Sequence, residues 1–422
     1  MIRFILKGIL RDKNRSVLPV IVISLGVALT ILLSGYIRGV MGDMIETTAM
    51  YDTGHVKIMS HAYAEQSQQM PNDLALLGLD EIQSQLKSKY DNMEFVPRIR
   101  FGGLIDIPDE NGQSTGQGPV AGLGLDLDDP FELKRYNIEQ ALVLGANPKE
   151  PFEVLISQAF YEKAELEIGD EITYFGTTME GSMSFQNFKI SGTLNFGNPM
   201  LDQGALVVNL PDAQSLLDLQ DGASEIVGYF RQSSYKDAQA VTIADEFNAS
   251  YNYEEDPYAA EMFALRSQND MATLIDIVDY FSFIFVSIFI FAMSIVLWNT
   301  GLLGGLRRYQ EFGIRLALGE SKSGIYRSLF FEAVLIGIIG SVIGTLLGLA
   351  GVMYMEKVGI DISSMMESIT ILMPTTLRAK YTPNLLYIGF IPGVFAMVMG
   401  NLLSGYAIYR RETANLFKDL EV

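Results

Sequence analysis

Four stretches of the chain are apolar over the roughly 20 residues that a helix needs to cross a hydrocarbon core of about 30 Å. They are residues 17–37, 280–298, 333–355 and 385–408, and none contains a charged residue. The pattern predicts four transmembrane helices; buried core helices are the alternative, and four such runs in one chain argue against it. Between the first and second runs the period changes. Short runs rich in strand-forming residues predict strands at 55–59, 95–107, 154–157, 171–175, 185–194, 205–208 and 225–230. Helical spacing predicts helices at 79–89, 158–166, 211–219 and 235–247, and Gly and Pro punctuate the joints, as at Gly102-Gly103, Pro108, Gly145 and Pro148. The expected architecture is a membrane protein with four transmembrane α-helices and a large α+β extracytoplasmic domain inserted between the first and second. That domain is read as small mixed sheets with helices on one face. Residues 40–50 lack Pro and extend the first span outward, and the chain beyond Pro257 is helix-compatible up to the second, so both ends of the domain are expected to be rigid stalks.

Charge orients this layout. Arg3, Lys7, Arg11, Lys13 and Arg15 precede the first run, and Arg307, Arg308, Arg315, Lys322 and Arg327 lie between the second and third. Cytoplasmic flanks carry such an excess, which places both segments and both termini inside. The expected division is 1–16, a cytoplasmic or interfacial N-terminal helix; 17–40, the first span and stalk start; and 41–275, the outer domain. It continues with 276–300, the second span; 301–324, a cytoplasmic coupling segment; 325–355, the third span; 356–384, an outer loop; 385–408, the fourth span; and 409–422, a cytoplasmic tail. The basic start fits an uncleaved anchor better than a signal peptide, because the run is long and no small-x-small pattern ends it. Its first residues suit a helix lying in the headgroup region or a merely basic leader.

Composition sharpens the contrast. Hydrophobic residues make up 49% of the chain, yet the net charge is −20. Residues 41–270 hold 38 Asp and Glu against 13 Lys and Arg, so the outer domain supplies more than the whole negative charge. Solubility explains this acidity, and steering of a basic partner is the sharper alternative. So acidic a chain repels phosphate backbones, which argues against nucleic acid. The absence of Cys excludes disulfides and thiolate sites, and His55 and His61 stand without an evident carboxylate constellation. Asp276 and Asp279 share a helix face before the second span, as a solvated rim or an ion or headgroup contact. The nearest approach to a P-loop, Gly319-Glu320-Ser321-Lys322-Ser323, lacks the Gly-Lys pair. No enzyme motif is found and no metal site is expected. The third span carries Gly340, Gly344 and Gly348 at i, i+4 and i+8, a smooth stripe for packing against another span or a second copy.

The segment Arg308-x-x-Glu311-Phe312-Gly313-Ile314-x-x-Ala317-Leu318-Gly319 resembles the signature of FtsX-like ABC permeases, a group that includes MacB and the LolC/LolE lipoprotein-release subunits. Glu332-Ala333-Val334-Leu335, the phrase Val154-Leu155-Ile156-Ser157 leading to Gly169-Asp170, and the one-plus-three order of spans are similar as well. The resemblance implies that Arg308, Glu311, Phe312, Gly313, Ile314, Arg315, Ala317, Leu318 and Gly319 form a coupling helix seated on a separate cytoplasmic ABC ATPase dimer. Glu311 and Arg315 at i, i+4 suit such a helix, Phe312 offers an apolar knob, and Gly319 a stop. ATP and Mg would be bound by that partner, with no cofactor in this chain. Length and organisation point to the LolC/LolE type. The implied substrate is a lipoprotein moved from the inner membrane towards the outer one by mechanotransmission, and the implied partners are a second permease copy or paralogue, membrane lipids and a periplasmic carrier. A MacB-like drug or peptide efflux permease and an FtsX-like subunit controlling a cell-wall hydrolase are the alternatives. The tail around Tyr409 to Phe417 lacks the family's prolines, and residues 175–186 are a short counterpart of a carrier-binding hairpin.

Overall fold

The computed structural model describes residues 13–108, 113–195, 204–231, 234–253, 255–307, 314–315, 317–361 and 376–409. Two compact units emerge, one built from residues 44–274 and one from the apolar segments that flank them. The N-terminal segment 1–12 and the tail 410–422 lie outside the described residues.

Ten strands of the outer unit form a single sheet: β1 (Val56–Ser60), β3 (Met93–Pro108), β4 (Ser114–Leu125), β5 (Leu142–Gly145), β6 (Glu153–Ser157), β7 (Glu171–Thr177), β8 (Met183–Leu194), β9 (Ala205–Asn209), β11 (Glu225–Phe230) and β12 (Ala260–Ala264); β2 (Leu76–Leu77) and β10 (Gly222–Ala223) pair separately. The small mixed sheets expected from the sequence are therefore corrected to one sheet, and the reason is β3. Its first half pairs with β11, Glu225 opposite Arg98, and its second half pairs with β4 and β7, Leu104 lying opposite both Pro119 and Phe175. The first half thus belongs to an antiparallel array in the order β12, β1, β11, β3. The second half belongs to a closed ring, because β3, β4, β9, β6, β8 and β7 pair in succession and β7 returns to β3. Closure removes open edges from that part of the sheet.

The alternation of side chains fills the ring. Phe101 and Ile105 of β3, Ile172 and Tyr174 of β7, Phe188 and Ile190 of β8, and Val154 and Ile156 of β6 share one buried cluster. Leu155 and Val207 point the other way into a second cluster with Leu125, Tyr136 and Ile138, so β6 and β9 are buried on both faces. A helix at Leu79–Lys89 lies where the sequence puts it, with Asp80 and Glu81 in its first turn and Lys87 and Lys89 in its last, each complementing the helix dipole.

Among the described residues the flanking unit contains four long helices, here α1 (Lys13–Thr48), α2 (Met271–Arg307), α3 (Lys322–Val358) and α4 (Leu385–Tyr409). By length and composition α1, with its continuation to Thr53, and α3 suffice to cross a membrane, while shorter apolar stretches lie at Phe283–Asn299 and Leu385–Gly400. Ser321 caps α3, its hydroxyl accepting from the Gly324 amide at 3.2 Å. Ile23, Val27 and Ile31 of α1 meet Met293 and Leu297 of α2, Ala333 and Ile336 of α3, and Ala396 and Met397 of α4 in one cluster.

One stalk follows expectation and the other does not. Helix α1 runs to Thr48 and continues as a wide turn over Ala49–Thr53, which stops at Gly54. That glycine has φ +61°, and a Cβ there would sit 2.7 Å from the Val56 carbonyl oxygen, so no other residue suits the stop. The chain beyond Pro257, read as helix-compatible, instead forms β12 and a short turn at Leu265–Ser267 before α2 begins at Met271. Strand β1 offers a free edge there, and pairing Ile58 with Met262 satisfies backbone groups that local propensity would have left to a helix.

Candidate functional site

Of the residues assigned to ATPase coupling, Arg308, Glu311, Phe312 and Gly313 lie outside the described residues. The rest form a helical end and a turn. The Leu318 amide bonds to the Ile314 carbonyl and the Glu320 amide to that of Arg315, both at 3.0 Å. Gly319 has φ +90° with nothing within 4 Å of where a Cβ would point, the left-handed conformation that ends a helix. The Arg315 guanidinium grips Glu320 through two bonds, Nε at 2.7 Å and Nη2 at 3.1 Å, across that turn. Ala317 is exposed, and the larger apolar side chains Ile314 and Leu318, one helical turn apart, are 62% and 83% exposed. A short capped turn thus displays two aliphatic knobs just before the long apolar α3.

The glycine stripe of α3 faces α1. A Cβ on Gly340 would meet Ile23 at 2.8 Å, on Gly344 the Ser24 carbonyl oxygen at 2.6 Å, and on Gly348 Ile31 at 2.8 Å. The backbones approach closely enough for the Ser24 hydroxyl to donate to the Gly340 carbonyl at 3.1 Å.

The outer unit holds a second polar constellation, built by strand alternation. His55 and Lys57 lead into and through β1, Val96, Arg98 and Arg100 alternate on β3, and Glu225, Val227 and Tyr229 on β11, so all project from one face. The turn Ala49–Thr53 and the short helix Pro130–Arg135 supply the groups they meet. Arg98, fully buried, donates to both Glu132 carboxylate oxygens at 2.7 and 3.2 Å, to the Tyr229 hydroxyl at 2.9 Å and to the Met50 carbonyl at 3.4 Å. Burial opposes its charge, but the adjacent Glu132 carboxylate wins and raises Arg98 well above its ordinary value. The Tyr229 hydroxyl in turn donates to the Ala49 carbonyl at 2.9 Å. Arg100 reaches Glu225 and the Asp52 carboxylate, each at 2.9 Å, and the carbonyls of Tyr51 and Asp52. The last carbonyls of the incoming helix, those of residues 49–52, are thus met by two arginines and a tyrosine, and that of Ala49 takes the Gly54 amide as well.

The two histidines correct the sequence reading, since each has a carboxylate at hand. His55 is fully buried, with Nε2 3.3 Å from Glu46 and 3.2 Å from the Arg135 guanidinium, while Nδ1 accepts from the Phe230 amide at 3.0 Å. His61 Nδ1 lies 2.6 Å from Glu261, and its ring stacks on Tyr253. No group of three or more His, Cys, Asp or Glu able to hold a metal occurs among the described residues.

Glu225 links this constellation to pH. Burial pushes its carboxyl up, but Arg100 and Lys57, the latter at 2.8 Å, pull harder and hold it below the usual carboxylate range. A depressed native value stabilises the fold fully above the unfolded value of about 4.3, and that contribution disappears as pH falls through the native value. The unfolding midpoint of the solubilised chain is expected to fall steeply below about pH 4, and Glu225→Gln to flatten that fall; an unchanged acid limb would refute the assignment.

A family model described as the MacB-like periplasmic core domain matches residues 16–245, and one described as the FtsX-like permease C-terminal domain matches residues 283–413. The chain is an FtsX/MacB-type permease. Membership makes it a permease subunit of an ABC transporter and not itself an enzyme, a membrane protein with a large periplasmic domain, and it implies an ATPase partner. Among solved structures, the permease is similar to the periplasmic region of MacB from Actinobacillus actinomycetemcomitans at 8% identity, covering 52% of this chain and 94% of that one with a TM-score of 0.34. It is also similar to a permease-protein domain from Porphyromonas gingivalis at 14% identity, covering 49% and 86% with a TM-score of 0.30. No curated protein matches the chain.

Proposed function

We propose that this permease extracts lipoproteins from the inner membrane for transfer to the outer membrane. In this reading four helices span the membrane, both termini are cytoplasmic, and a separate ATPase dimer, which binds the ATP and Mg, docks on the segment around Arg308 to Gly319. A second copy or paralogue completes the transporter. Support for the docking comes from Ile314 and Leu318, aliphatic knobs that the Gly319 turn holds in solvent.

The cargo assignment rests on one observation in the periplasmic domain. Pro119, Leu104, Phe175 and Phe185 stand directly opposite one another across β4, β3, β7 and β8, so they share a face. Leu104, Phe175 and Phe185 are 53%, 37% and 71% exposed, and Met183, two residues along β8, is 82% exposed. An apolar strip of this kind on a strongly acidic domain suits a lipid-bearing cargo or the carrier that receives it. Phe175, Met183 and Phe185 also lie in the hairpin, residues 175–186, that the family resemblance marks as the counterpart of a carrier-binding element.

The test is purification in mild detergent together with depletion in cells. The ATPase and a lipoprotein are expected to co-purify, Leu318→Asp to lose the ATPase while the chain stays folded, and depletion to leave lipoproteins in the inner membrane. Altered drug tolerance without lipoprotein accumulation would replace this reading with efflux, and chaining cells with control of a hydrolase.

A further inference from the structure

The periplasmic unit is entered through the end of α1 and left through the start of α2, and the two connections are tied to each other within it. The Leu265 amide donates to the His55 carbonyl at 3.1 Å, and the Gln268 side chain to the Thr53 carbonyl at 3.4 Å. The shortest tie is the exposed bond from the Asn269 side-chain amide to Asp52 Oδ2 at 2.6 Å. The other oxygen of Asp52 takes Arg100 at 2.9 Å and Lys57 at 3.3 Å. One carboxylate therefore holds the last turn of the incoming helix, two strands of the sheet and the linker to the outgoing helix.

That linker is under strain. Asn269 and Asp270 are consecutive non-glycine residues in the left-handed region, with φ of +47° and +55°. Asparagine tolerates this conformation because its side chain finds a local polar partner, and here the partner is Asp52. Immediately afterwards the Met271 and Thr273 amides begin α2 by bonding to the Gln268 and Asp270 carbonyls at 2.9 and 3.0 Å. Without the Asp52 bond, the two strained residues are free to relax into ordinary conformations and to absorb a displacement instead of passing it on.

We propose that the Asp52 carboxylate is a latch joining the incoming helix to the outgoing one, so that movement of α1 is passed to the start of α2 through Asn269. Asp52 is a positioning residue in this role, and the proposal rests on the reading that a cytoplasmic ATPase moves these helices. Two measurements separate the latch from that reading. The first is hydrogen exchange of the amides from Asn269 to Thr273 in the full chain in nanodiscs, which needs neither ATP nor cargo. Asp52→Ala and Asn269→Ala are each expected to speed exchange there at least tenfold, and the double variant to be no faster than Asp52→Ala alone, because Asn269→Ala removes a bond that Asp52→Ala has already removed. Unchanged exchange, or single effects that multiply in the double variant, overturns the latch. Should Asp52→Ala fail to fold, Asn269→Ala against Asn269→Asp, which sets two carboxylates together, gives the same comparison: both must open the linker. The second measurement is cargo released per ATP hydrolysed. It is expected to fall at least fivefold in Asn269→Ala with ATPase co-purification intact, and an unchanged ratio overturns the latch. Failure of the unaltered chain to bind an ATPase would instead defeat the force-input reading and leave the exchange result standing.

Discussion

Arg98→Met is expected to destabilise the periplasmic domain by about 3–5 kcal/mol, the cost of leaving one member of a buried ion pair without its partner. The stranded group is Glu132, whose side chain is 1% exposed and whose two oxygens both take their hydrogen bonds from Arg98. The Met50 carbonyl loses a donor in the same variant, so the end of the incoming helix loosens with the sheet. Combining Arg98→Met with Glu132→Leu is expected to restore much of the loss, since an apolar pair of similar volume often replaces a buried ion pair at little cost. Thermal and denaturant unfolding of the purified chain supply the cycle. A single variant as stable as the parent, or a double variant worse than both singles, would contradict the account.

Gly344→Leu is expected to force α1 and α3 apart. Overpacking alone costs about 1–3 kcal/mol, and here the first atom met is a backbone carbonyl oxygen, that of Ser24, which no rotamer change can remove. The shared cluster of Ile23, Val27 and Ile31 with Ile336 should open, lowering the unfolding midpoint of the solubilised chain and abolishing coupled ATP hydrolysis. Leu346→Ala, two residues away at a side chain 64% exposed, is the control and should stay within about 0.5 kcal/mol of the parent. Equal tolerance of both substitutions would mean that the stripe is not a packing surface.

The elements legible in the sequence are those whose information is local. The helix at Leu79–Lys89 carries its own charge pattern, and β11 its own run of strand-forming residues. Strand β4 was invisible because Ser114–Leu125 is dominated by Gly and polar residues, and only its pairing with β3 and β9 makes it a strand. Strand β12 was hidden for a related reason, since its partner β1 lies at the far end of the domain's sequence. The helix stop at Gly319 is legible in the sequence, because such a turn is specified by adjacent residues. The arginine-rich face could not be found that way. A faint signal exists in the alternation Glu94, Val96, Arg98, Arg100, where three of the four residues on one face of an otherwise apolar stretch are charged. What the alternation omits is the partner: Glu132 and the carbonyls of residues 49–52 reach it only through the fold.

The arrangement of β1 also bears on how the chain is made. Val56 pairs with Gly228 on one side and Ala264 on the other, so the first strand to leave the membrane finds its neighbours only when nearly the whole periplasmic segment has been exported. Contacts so distant in sequence are slow to form. Until they do, β1 has both edges open, a state prone to wrong pairing. Biogenesis of this permease should therefore depend on the speed of translocation through residue 264, and pauses before that point should be the ones that yield misfolded protein.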